Sequence, residues 1–312
     1  MSQYDAAEIQ TQVNWNHYVE LIEFVILVYD YILTFDIEIE RFWKHNTKRL
    51  APILFFINRY LTLFGNLVLV IFFFWPEPIL RHHNGRESMD FFAQGLVFAV
   101  QFNISVLFFL RVDAIYGGSR RIAVIFGLVL FATVVNDVVQ LCLTDKTDPA
   151  AVDPPSALAQ VGSIPSFSNT QGLHLAYLWI GIFVLDICVI ILTLWKTVHL
   201  YRSGYVPGGI GALIMRDGLM YFGVITLATL ANILAFALGT EFTKGLLPIF
   251  TNIICSVMMS RLMLNLREDS LNFETQISGL IFAHNTTHDS PPTTTAEHST
   301  EYDLPRRRTD HH

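Results

Sequence analysis

Charge is what this chain has least of. Only 15% of its residues are Asp, Glu, Lys or Arg, against about 25% in ordinary soluble domains, while 52% are hydrophobic and 13% aromatic. The mean hydropathy of +0.44 completes the picture of a membrane protein. Basic runs are equally scarce. The net charge is -7 and Arg306-Arg307-Arg308 is the longest cluster of positive charge, which excludes a nucleic-acid-binding domain. The three cysteines, Cys142, Cys188 and Cys255, have no metal-ligand spacing and read as small core residues. Enzyme signatures are missing too: no GxSxG elbow, no Gly-rich phosphate loop and no dinucleotide fingerprint, so no catalytic residue and no cofactor is expected. A retinal pigment would need a lysine in the last span, and 246–264 has none. The first fifteen residues contain no Lys or Arg and do not read as a cleaved signal.

What the chain has in quantity is long apolar runs. A bilayer about 30 Å thick is spanned by about 20 helical residues, and runs of that kind fall at 15–35, 51–75, 91–112, 122–143, 173–195, 212–238 and 246–264. The sequence therefore predicts an all-α, integral membrane bundle of seven transmembrane helices (15–267). The first is the least apolar, with Glu20, Glu23 and Asp30, and an interfacial helix is its rival reading. Residues 144–172 read as one long polar loop. Residues 268–312, rich in Ser, Thr, Pro and His, read as a disordered tail.

Lys and Arg set the orientation, because positive loops stay in the cytosol. Arg41, Lys44, Lys48, Arg49, Arg111, Arg120, Arg121, Lys196, Arg202, Arg216, Arg261 and Arg267 crowd one side, and only Arg81, Arg86, Lys146 and Lys244 fall on the other. The N-terminus (1–14) is then outside and the tail cytosolic. The plasma membrane is preferred to an endomembrane, with the lipid bilayer and a cytosolic signalling protein as expected partners and nucleic acid excluded.

Polar residues inside the spans recur at helical spacing: Asn58, Arg59, Thr62 and Asn66; Thr133, Asp137, Gln140 and Thr144; Asp186, Thr193 and Thr197; Asn252, Ser256 and Ser260. Such stripes serve as interhelical hydrogen-bond glue or line a pathway. Asp137 lies roughly 9 Å from the outer end of its helix and Asp186 roughly 19 Å at helical rise. A carboxylate at that depth stays ionised only if paired and otherwise takes a proton, so Asp137, Gln140 and Asp186 are a candidate cavity. Asp30 and Arg59, about 8 and 12 Å deep from the cytosolic side, are the candidate intramembrane charged pair. Asp186 is the rival partner of Arg59, and snorkelling of Arg59 to the headgroups is the third reading. His17, His82, His83 and His174 all fall on the outer side. They lack ligand spacing, so a metal there is only a weak alternative.

The run Tyr29-Asp30-Tyr31-Ile32-Leu33-Thr34-Phe35-Asp36-Ile37-Glu38-Ile39-Glu40-Arg41-Phe42-Trp43-Lys44, followed by Asn58-Arg59-Tyr60, resembles the N-terminal domain of unknown function of a family of multi-pass membrane proteins from mushroom-forming (basidiomycete) fungi. The resembling block covers about 25–75. Ser260-Arg261-Leu262-Met263-Leu264-Asn265-Leu266-Arg267-Glu268 is similar to how those proteins leave their last helix. The resemblance implies membership and architecture, and it carries no ligand or catalytic residue.

Function then divides. A receptor-like sensor without catalytic activity fits seven helices, basic cytosolic loops and a Ser/Thr-rich tail. It departs from the large receptor family, since Leu110-Arg111-Val112-Asp113 stands where Asp/Glu-Arg-Tyr is expected, and no Asn-Pro-x-x-Tyr closes the last span. The alternative is a transporter or channel using Asp137, Asp186 and Arg59, although no inverted repeat is evident.

Overall fold

The computed structural model describes residues 6–44, 50–74, 83–145, 168–202, 210–239 and 244–288. Among them are seven α-helices and no strand: α1 Ala6–Glu38, α2 Leu50–Phe74, α3 His83–Ile115, α4 Arg120–Asp145, α5 Asn169–Arg202, α6 Ile210–Leu238 and α7 Pro248–His288. A π-helical turn, Ile39–Trp43, extends α1. By its contacts the chain divides into Met1–Glu268 and Asp269–His312, and the site described below lies in the first unit.

Six helices, α2 to α7, are long and apolar enough to cross a membrane, and the protein is accordingly an integral membrane protein. α1 fails that test because of Glu20, Glu23 and Asp30. Three of its carboxylates are nevertheless turned inward, while Glu20 is half-buried and Asp36 exposed. Glu23, Asp30 and Glu38 are 2%, 5% and 0% exposed, whereas Trp15, Tyr18, Ile22, Val25, Tyr29 and Ile32 form an exposed apolar stripe at spacings of three and four.

Helix ends follow local chemistry. α5 starts on a capping box: Ser168 Oγ accepts from the Gln171 amide at 3.2 Å, and Gln171 Oε1 accepts from the Ser168 amide at 3.0 Å. This places the start four residues before the apolar run. α3 ends where Gly117 and Gly118 take φ of 65° and 73°, a backbone that favours glycine. The Gly118 amide caps the Asp113 carbonyl at 3.0 Å, and α4 begins two residues later. Pro248 opens α7, at the position where its missing N–H costs nothing. That helix runs to His288, so residues 289–312 of the expected tail lie outside the described residues, and 269–288 are described as helix. Phe273, Ile277, Leu280 and Ile281 keep a helical apolar spacing there, which the polar composition of the tail hides.

The core lies around α3. Val100, Ile104, Leu107 and Phe108 pack with Leu185 and Val189 of α5, Phe222 and Ile225 of α6, and Cys255 and Met259 of α7. α2 approaches α3 closely at Gly65, where a Cβ would strike both methyls of Leu96. α4 sits at the periphery, with Val124, Ile125, Leu128, Phe131 and Val135 exposed.

Candidate functional site: an ionic cluster joining the first two helices to the last

The π-helical turn decides what α1 can reach. Its extra residue rotates the chain beyond Glu38, so that Phe42 stacks on Phe55 of α2, ring centroids 4.2 Å apart. Trp43 then turns back and donates from Nε1 to Glu38 Oε1 at 3.0 Å. Tyr60 of α2 donates to the same oxygen, also at 3.0 Å. The other carboxylate oxygen, Oε2, lies 2.7 Å from Arg59 Nε, with the two side chains 0% and 3% exposed. The contact is an ion pair rather than an aligned hydrogen bond.

Arg59 Nη2 is directed at α1. Nη2 reaches Thr34 Oγ1 at 2.6 Å and the Tyr31 carbonyl at 3.1 Å, and the guanidinium lies 4.6 Å from the centre of the Tyr31 ring. Five groups from α1 and α2 thus hold a charge pair that would cost several kcal/mol per ion if left bare.

α7 completes the cluster. Arg261 Nε pairs with Asp30 Oδ1 at 2.6 Å, the arginine side chain 36% exposed and the aspartate 7%. Arg41 donates to the Leu264 carbonyl at 2.9 Å and pairs with Glu268 at 2.6 Å, while Arg267 donates to the Arg41 carbonyl at 3.3 Å. Deeper in, Asn58 Nδ2 reaches the Ser256 carbonyl and Ser260 Oγ at 3.0 and 3.1 Å, and the Thr62 and Ser256 hydroxyls meet at 2.9 Å. The stripes on α2 and α7 therefore face each other and serve as glue. Between them a cleft lined by Leu27, Asp30, Tyr31, Arg59, Ser256 and Ser260 has a volume of about 10 Å³, room for at most one water.

The expected pairing of Asp30 with Arg59 is thereby corrected. Both line the cleft, but each takes another partner. Since α1 continues to Glu38 and the turn behind it, the antiparallel register sets Glu38 level with Arg59 and leaves Asp30 one layer deeper, against α7. Asp186, the rival, lies elsewhere. Ending the first helix at residue 35 made Glu38 a loop carboxylate, although it stood within the motif. Arg261 was legible only as a topology marker, and its reach to Asp30 is a contact across the whole chain.

Asp137, Gln140 and Asp186 do not share one cavity. α5 stands between them. Asp137 and Asn136 face the α5 backbone at Gly181 and Tyr177, whose carbonyl accepts from Asn136 Nδ2 at 3.2 Å, and Gln140 meets His174 at 3.0 Å. Asp186 looks the other way and accepts from Thr229 of α6 at 3.0 Å. Five residues of helix turn Asp186 well away from Gly181, about 140°. The outer histidines are not brought together either: His17 lies edge-on to Phe74, His174 is on α5, His83 opens α3, and His82 lies outside the described residues. Among the described residues no three His, Cys, Asp or Glu side chains gather as a metal would require.

Fold and site together define a helical integral membrane protein with an ion-paired cluster built mainly from its first two helices. A family of unknown function, DUF6533, matches this chain over residues 18–64. That stretch takes in most of α1, the π-helical turn and α2 as far as Phe64, and with them Asp30, Glu38 and Arg59. No curated protein and no solved structure matches.

Proposed function

We propose that this chain is a receptor-like sensor without catalytic activity, a seven-span protein of a fungal plasma membrane with its N-terminus outside and its tail in the cytosol. The apolar outer face of α1, with Glu23, Asp30 and Glu38 turned inward, supports α1 as the seventh span, because that is the pattern of a helix facing lipid on one side and a polar bundle on the other. The crowding of Lys and Arg at the α1–α2 end supports the orientation.

The observation that carries the sensor reading is the tie between α7 and the first two helices. Arg261 with Asp30, and Arg41 with Glu268 and the Leu264 carbonyl, fasten α7 at the basic end. These pairs are part-exposed and weak enough to open, unlike the fully buried Glu38–Arg59 pair. A shift of α7 relative to α1 and α2 would then be reported to a cytosolic signalling protein at that end.

The test compares recovery of a bound cytosolic signalling protein from native membranes carrying the full chain or Arg261→Gln, alongside solute flux in proteoliposomes. The sensor reading expects partner binding that changes severalfold when the tie is opened, and no flux. Flux that is lost in Asp186→Asn, with no tie-dependent partner, would refute it in favour of a transporter.

A further inference from the structure

α5, α6 and α7 meet through polar side chains at Asp186, Thr229 and Cys255. Asp186 of α5 is 3% exposed, and its Oδ2 accepts from Thr229 Oγ1 of α6. The Cys255 thiol of α7 lies within hydrogen-bond reach of that same hydroxyl. Asn232 follows Thr229 at i+3 and Asn252 precedes Cys255 at i−3, so each amide sits on the same helical face as its neighbour. α6 and α7 are consecutive antiparallel helices in contact at this level, Thr251 Oγ1 meeting the Ala228 carbonyl at 3.4 Å. Both steps therefore lead toward the same end of the bundle, which sets Asn232 and Asn252 one turn, about 4.5 Å of helical rise, beyond the Thr229–Cys255 level.

Asp186 and the two amides are enclosed, and each keeps at least one unsatisfied polar atom. Asn232 and Asn252 are 0% and 1% exposed. Among the described residues nothing hydrogen-bonds Asp186 Oδ1, Asn252 Oδ1, or either polar atom of the Asn232 amide. None of the ion pairs seen among the described residues involves Asp186. Buried polar atoms without partners are rare in native proteins and point to an unseen ligand.

Charge and donor chemistry narrow the ligand. One carboxylate in a low-dielectric interior calls for one positive charge, and a divalent ion would leave an excess as costly as the deficit it cures. A proton on Asp186 would neutralise the carboxylate but leave the two amide oxygens bare. A small alkali cation satisfies the charge and the three oxygens at once, with Thr229 Oγ1 as a fourth, and oxygen-only coordination suits a hard ion. We propose that Asp186, Thr229, Asn232 and Asn252 form a site for one monovalent alkali cation, sodium being the small one, which binds α5, α6 and α7 to each other. The site is independent of the sensor reading and of the ionic cluster.

The test is the unfolding temperature of the full-length protein in nanodiscs at about pH 8, as sodium chloride replaces choline chloride at constant ionic strength. Choline is too large to enter. A saturable rise with sodium is expected, lost in Asp186→Asn, with the half-saturating concentration raised about tenfold in Asn232→Ala. No sodium-specific rise, or the same rise in Asp186→Asn, overturns the proposal. Should Asp186→Asn not fold, Asn232→Ala and Asn252→Ala carry the decision: displaced midpoints support the site, and unchanged midpoints in both overturn it.

Discussion

Neutralising Glu38 leaves Arg59 charged in a place with almost no water. Glu38→Gln keeps the shape of the side chain and can still accept from Trp43 and Tyr60, so the change isolates the ion pair itself. Breaking a buried pair from one side costs about 3–5 kcal/mol. The lower end applies here, because Arg59 keeps the Tyr31 carbonyl, the Thr34 hydroxyl and the Tyr31 ring. Arg59→Leu strands the carboxylate instead, which retains the Trp43 and Tyr60 donors, for a loss of about 2–3 kcal/mol. The double variant has neither charge and loses only neutral hydrogen bonds, about 1–2 kcal/mol. The pair should then couple by at least about 2 kcal/mol, measured as the stability of each variant to SDS in mixed micelles. Losses that add to within about 0.5 kcal/mol would refute the pairing. A larger coupling between Asp30→Asn and Arg59→Leu would replace it with the arrangement expected from sequence.

Three further outcomes follow from the same geometry. Asp30→Asn combined with Arg261→Gln should couple by only about 0.2–1 kcal/mol, and less in high salt, since Arg261 is partly exposed; the same SDS titration reads it. Gly65→Ala should cost about 1–3 kcal/mol by overpacking against Leu96, whereas Gly95→Ala, whose Cβ meets nothing within 4 Å, should gain about 0.5–1 kcal/mol, and equal effects would refute the close α2–α3 approach. Asn285-Thr286-Thr287 is a glycosylation sequon, and mass spectrometry of native protein should find Asn285 unmodified; a glycan there would invert the proposed orientation.

Most of the helical architecture could be read from apolar runs, because the bilayer sets a length that composition alone reveals. The helix ends could not, since they answer to other signals. Ser168 and Gln171 spell a capping box, and reading it would have moved the start of α5 to Asn169. The extension of α7 beyond Glu268 was hidden by a polar composition, although its apolar spacing stayed helical. The stripes on α2 and α7 were legible as buried polar faces, and the structure joins them as Asn58 to Ser260 and Thr62 to Ser256.

Partners within the membrane were the harder problem, and the reason is geometric. Depth estimates place two charges on a common level, but one helix presents residues around its whole circumference. Asp137 and Asp186 are separated by the width of α5, and the difference between Asp30 and Glu38 as partners of Arg59 depends on where α1 stops. A π-helical turn adds a residue without changing hydropathy, so no composition window detects it. Its effect is to bring Phe42 onto Phe55 and Trp43 onto Glu38, which fixes the carboxylate that Arg59 needs. The stretch matched by the family of unknown function contains this turn and both charges of the buried pair, but not Arg261. The Glu38–Arg59 pair therefore belongs to a unit that α1 and α2 build between themselves, and the less buried Asp30–Arg261 contact is where that unit meets α7. The Glu38–Arg59 pair is fully buried and Arg261 is partly exposed, so changes at Glu38 should act on folding and changes at Arg261 on the position of α7.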